Sequence, residues 1–136
     1  SLPMPFVIGG LKRLELLRKS PELKDKLWTI ADALQSGLRD RGFNLGATTS
    51  CVTPVVLQGS VDEATQMVND LRKNYGIFCS IVVYPVIPKG MIILRLIPTA
   101  YHTLEEVRLT LEAFSAVAEK LSKGAYNGGF AEVRIA

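Results

Sequence analysis

The chain is poor in the residues that most often build metal and nucleophilic sites. Its one histidine, His102, excludes a paired-histidine metal site, and any Ser-His-Asp triad would have to use it. Lying just before Thr103, His102 reads as punctuation at the start of a helix. The two cysteines, Cys51 and Cys79, are far apart and fall in or beside predicted strands. They are expected to be free buried thiols in a reducing compartment, not a disulfide or a metal pair. No glycine-rich phosphate loop stands before a helix, since Gly9-Gly10 lies inside one. No apolar run approaches the roughly 20 residues that a membrane-spanning helix needs. The first ten residues carry no charged segment of a secretory signal, so a cytoplasmic location is expected.

Charge is also slight. Sixteen Lys and Arg against thirteen Asp and Glu leave a net +3 over 136 residues. Both signs are interleaved from Lys12 through Lys73, the pattern of solvated helix faces, which argues against a nucleic-acid surface. With 48% hydrophobic residues, the chain is long enough to bury the core of a single domain. It opens Ser-Leu-Pro-Met-Pro-Phe without an initiator methionine, through methionine removal or as a piece of a longer protein.

What is present is a clear run of elements. A first helix is expected over 5–19, with Phe6, Ile8, Leu11, Leu14 and Leu17 as candidate buried positions. It is apolar enough to imply contact with something outside the chain. Gly9 and Gly10 weaken it unless another element packs closely there. Ser20-Pro21-Glu22 reads as N-cap, first helical position and first-turn acid of a second helix. There Leu23, Leu27, Ile30, Ala31, Leu34 and Leu38 repeat at helical spacing, and Gly42 is a left-handed cap. A polar connector with room for a short strand leads to a strand over 51–57, where Pro54 calls for an edge or a bulge. Ser60-Val61-Asp62-Glu63 is a capping box for a third helix, which buries Ala64, Met67, Val68, Leu71 and Tyr75 and ends at Gly76. Strands over 77–83 and 91–97 pair as an antiparallel hairpin. Thr103-Leu104-Glu105-Glu106 is a second capping box, opening a last helix with Val107, Leu111, Phe114, Ala118 and Leu121 on one side.

The expected fold is α+β: a two-layer sandwich with a three-stranded, mainly antiparallel sheet and helices on one face. The first strand–helix–strand unit favours a right-handed crossover. A flexible tail is expected over 124–136, with a possible extra edge strand over 130–135. Lys123 before Gly124 superficially resembles a Schiff-base lysine, but a tail offers no core to desolvate it.

The chemistry therefore narrows to Arg95, within Met91-Ile92-Ile93-Leu94-Arg95-Leu96-Ile97. An arginine in such a strand is costly unless it faces solvent or holds an anion. It either runs along the sheet to water or a helix terminus, or it presents a planar fork to a carboxylate or phosphate.

Pro-Val-Ile-Pro-Lys-Gly-Met-Ile-Ile-Leu-Arg-Leu-Ile-Pro-Thr-Ala-Tyr-His-Thr, over 85–103, resembles the C-terminal signature of the α-oxoamine synthases. These pyridoxal-phosphate enzymes condense an amino acid with an acyl-CoA. The Pro-x-Gly turn, the strand ending in Leu-Arg and the Thr-Ala-x-His-Thr lead into the last helix match in order and spacing. Ser50-Cys51-Val52-Thr53-Pro54-Val55 resembles the family's first small-domain strand. Ser1-Leu2-Pro3 resembles the start of the helix that leaves its large domain.

The resemblance implies that residues 1–19 are an interdomain helix and residues 20–123 the C-terminal small domain of a fold-type-I enzyme. It also implies that Arg95 binds the α-carboxylate of the amino acid held on the cofactor. The catalytic lysine and the pyridoxal-phosphate site would lie in a large domain upstream. The chain alone would then have no catalytic, cofactor-binding or metal-binding residues and would be inactive. The partners implied for the intact enzyme are an amino acid, an acyl-CoA, its own large domain and a second copy in a homodimer. The chain departs from the family pattern at Ile93, where many relatives carry a second arginine. It departs again at Pro98, where several have a small or polar residue. Two other readings stay open: the small domain of a fold-type-I aminotransferase, and a free-standing α+β ligand-binding or regulatory module.

Overall fold

The computed structural model describes residues 2–126. The elements are helices α1 (Met4–Lys19) and α2 (Pro21–Asp40), strand β1 (Thr53–Gln58), helix α3 (Val61–Tyr75), strands β2 (Ser80–Val82) and β3 (Met91–Leu96), and helix α4 (Leu104–Ser122). The expected edge strand over 130–135 lies outside the described residues.

Local chemistry sets most boundaries. Ser60 accepts from the Glu63 backbone N–H while the Glu63 carboxylate accepts from the Ser60 N–H, and Thr103 and Glu106 repeat the arrangement at α4. Gly76 ends α3 at φ 68°, a left-handed position that favours glycine. Gly42, at φ 81°, reverses the chain after α2, with the Phe43 N–H returning to the Leu38 carbonyl at 3.1 Å. Ser20 differs from expectation, for its side chain makes no capping bond. Its carbonyl instead accepts from the Leu23 N–H at 3.2 Å, and Pro21 starts the helix without an N–H to satisfy.

The sheet has the order β1-β3-β2, and both outer strands run antiparallel to β3. β1 and β2 therefore run in the same direction, as the crossover reading requires, with β3 between them. Pro54 falls on an edge strand, where its missing N–H costs no ladder bond. One isolated bridge joins Asn44 to Val56, which is all the strand the connector forms.

Side chains alternate across β3. Ile92, Leu94 and Leu96 are buried with Val55 of β1, Ile30, Leu34 and Leu38 of α2, Met67 and Leu71 of α3, and Leu111, Phe114 and Val117 of α4. Phe114 is fully buried and meets Phe43 edge-to-face at 5.9 Å. Tyr75 is a correction to the expected α3 face, since it is exposed. Helix α1 is a larger one. None of its residues is buried, and Phe6, Ile8, Leu11, Leu14 and Leu17 are all exposed, because no other described element lies over them. A side chain at Gly9 or Gly10 would likewise meet nothing.

The packed chain also runs past the expected start of the tail. Tyr126 is buried, and its hydroxyl donates to Asp70 Oδ2 at 2.6 Å. An aromatic ring finds apolar cover there, and Asp70 supplies the acceptor its hydroxyl needs.

Candidate functional site

Strand parity decides which way Arg95 points. Its neighbours Leu94 and Leu96 are buried, so Arg95 emerges on the face of the sheet opposite the helices. Ile93 and Met91 share that face on β3. Their register partners there are Pro54, Val56 and Gln58 of β1 and Ser80 and Val82 of β2. Arg95 is exposed at the centre of the sheet, flanked by Pro54 on one side and Ser80 on the other. Its Nε donates to Ser80 Oγ at 3.1 Å. The sequence holds one clue to Ser80: it is the single polar residue in the otherwise apolar run 77–83.

Beyond β3 the chain turns over Pro98, which is buried, and closes on itself through His102. The Thr99 N–H donates to His102 Nδ1 at 2.9 Å, and Thr99 Oγ1 lies 3.0 Å from the same nitrogen. The ring is thus tied into the turn that launches α4, the structural role read from its position. On the helix side of β3 a groove of about 420 Å³ is lined by Ile30, Leu34, Phe78, Leu96, Pro98 and His102, among others. Arg95 does not reach it.

Five of the lysines sit in ion pairs or over rings. Lys12 and Lys19 both hold Glu15, Lys123 holds Glu119, and the Lys89 Nζ lies 5.1 Å above the Tyr84 ring. Lys120 is bound to Asp70 at 2.7 Å, and that hydrogen bond raises its pKa, the opposite of what a Schiff-base lysine needs. Cys51 and Cys79 are free; Cys79 is buried, and burial pushes its thiol up to about 11, which leaves it unreactive. No group of three or more His, Cys, Asp or Glu that could hold a metal occurs among the described residues. No helix of those residues is long and apolar enough to cross a membrane.

Helices α2, α3 and α4 on one face of a three-stranded antiparallel sheet, with α1 ahead of them, match the small domain of fold-type-I pyridoxal-phosphate enzymes. An 8-amino-7-oxononanoate synthase from Francisella tularensis superposes with a TM-score of 0.74 over 90% of this chain and 35% of its own, at 18% identity. The chain is homologous to the α-oxoamine synthase family. It is 62% identical over 133 residues to the cysteate-C-fatty acyltransferase of Capnocytophaga ochracea, covering 98% of this chain and 32% of that one. It is 34% identical over 122 residues to the 8-amino-7-oxononanoate synthase of Exiguobacterium sibiricum, covering 89% of this chain and 30% of that one. The serine palmitoyltransferase of S. paucimobilis, solved with a bound PLP-myriocin aldimine, matches with a TM-score of 0.65 and 29% identity, over 76% of this chain and 26% of its own. The chain spans about a third of the length of the curated relatives it matches. No protein-family model matches it.

Proposed function

We propose that the chain is the C-terminal small domain, preceded by its interdomain helix, of a pyridoxal-phosphate enzyme that joins an amino acid to a fatty acyl-CoA. In this reading Arg95 holds the amino acid's α-carboxylate. The observation that carries it is the placement of Arg95: exposed, central in the sheet, on a rigid strand, and without a carboxylate partner of its own among the described residues. A planar fork in that position fits a carboxylate brought in from outside. The relative at 62% identity is named a cysteate acyltransferase, so cysteate is the amino acid we assign, with a fatty acyl group as its partner.

Residues 1–19 are the connection from the large domain, and the exposed apolar side chains of α1 support that reading, because a soluble surface rarely leaves such a stripe bare. Residues 20–123 are the small domain. The cofactor, its lysine and most of the dimer interface belong to the large domain, so the chain alone is inactive.

Kinetics of the full-length enzyme test the assignment. Arg95→Ala is expected to weaken amino-acid binding by about 2–5 kcal/mol if the carboxylate is desolvated on binding. Cysteate carries a sulfonate as well as a carboxylate, and two inhibitors separate them. Alanine, which lacks the sulfonate, should lose affinity in the variant; taurine, which lacks the carboxylate, should not. Unchanged affinity for cysteate and alanine would remove the role given to Arg95. Release of CoA, measured against transfer of the amino group, separates this activity from an aminotransferase.

A further inference from the structure

We infer that Ser80 is a positioning residue for Arg95, fixing which edge of the guanidinium meets the substrate carboxylate; this rests on the role proposed for Arg95. The two residues beside Arg95 in the sheet are chemically unlike. Pro54 on β1 has no polar side-chain atom, whereas Ser80 on β2 carries a hydroxyl on the same face. Only the β2 side can anchor the guanidinium, and there Nε donates to Ser80 Oγ at 3.1 Å.

A guanidinium offers a carboxylate two bidentate edges. One uses Nε and a terminal nitrogen; the other uses both terminal nitrogens. With Nε engaged by Ser80, the first edge is taken, while the second has no partner among the described residues. The hydroxyl therefore selects end-on binding, and it restricts a long side chain that would otherwise sample many rotamers before each encounter. Ser80 touches Arg95 and not the substrate, so its effect falls on amino-acid binding and not on the bond-breaking step.

The test uses the full-length enzyme and a double-mutant cycle. Ser80→Ala is expected to raise the KM for the amino acid about threefold to tenfold, the size of one ordinary hydrogen bond's net contribution. The KM for acyl-CoA, and kcat at saturating amino acid, should stay within about twofold. Ser80→Thr keeps the hydroxyl and should restore the wild-type KM. In the Arg95→Ala background, Ser80→Ala should add nothing. A normal KM in Ser80→Ala beside a raised one in Arg95→Ala overturns the role of Ser80 and leaves that of Arg95 standing. Additive effects of the two substitutions also overturn it, since Ser80 would then act by another route. A normal KM in Arg95→Ala overturns the parent reading itself.

Discussion

Asp70 ties α3 to α4 and to the chain beyond it. Lys120 of α4 donates to it at 2.7 Å, the Tyr126 hydroxyl at 2.6 Å and the Asn74 amide at 2.6 Å. Burial works to raise its carboxyl pKa, and the Lys120, Tyr126 and Asn74 bonds outweigh it, so the group titrates below its ordinary value. A carboxyl with a lowered folded pKa contributes stability above its unfolded pKa, about 3.9, and loses that contribution as pH falls through the folded value. Asp70→Asn is therefore expected to cost about 1–3 kcal/mol near neutral pH, with the gap to wild type closing below about pH 3.9. Urea melts at a series of pH values check this, and a gap that persists in acid would show that the loss comes from packing. Arg95 is the contrasting case. Exposed and away from the core, its replacement by Ala should leave stability within about 0.5 kcal/mol while amino-acid binding changes.

At the scale of elements, the capping boxes and the glycine at one helix crossing make separate predictions. Thr103 holds the start of α4, and Thr103→Ala is expected to cost about 1 kcal/mol in a denaturant melt. Gly37 of α2 faces Leu111 of α4 so closely that a Cβ there would collide with Leu111 Cδ1. Gly37→Val should cost about 1–3 kcal/mol by overpacking, and Leu111→Ala introduced beside it should recover part of that loss. Both capping boxes were legible from four residues each, because a cap is a local bond between a side chain and the next turn. Gly37 was not legible. Its spacing within α2 is ordinary, and its necessity comes from a helix over seventy positions later in the chain.

On the scale of the whole molecule, α1 stands apart. Phe6 is 70% exposed and Leu17 69%, whereas Phe114 is fully buried. In this chain alone, Phe6→Ser and Leu17→Ser should each shift stability by less than about 0.5 kcal/mol, against about 3–5 kcal/mol for Phe114→Ala. If α1 is the interdomain helix proposed above, the same substitutions become destabilising in the full-length enzyme, where a large domain would cover them. If thermal melts show them equally harmless there, α1 is not the interdomain helix.

Periodicity, caps and turn residues were enough to determine the seven elements, the antiparallel hairpin and the presence of one out-of-place arginine, because each depends on neighbours within a few positions. They also carried the family resemblance, since its motif is contiguous. The tertiary structure alone decided that β3 is the central strand, that α1 lies bare, that Tyr126 returns to Asp70, and that Arg95 stands between Pro54 and Ser80. Each of those follows from pairing between distant segments, and the free energy of such pairing comes from shared burial that no single segment contains.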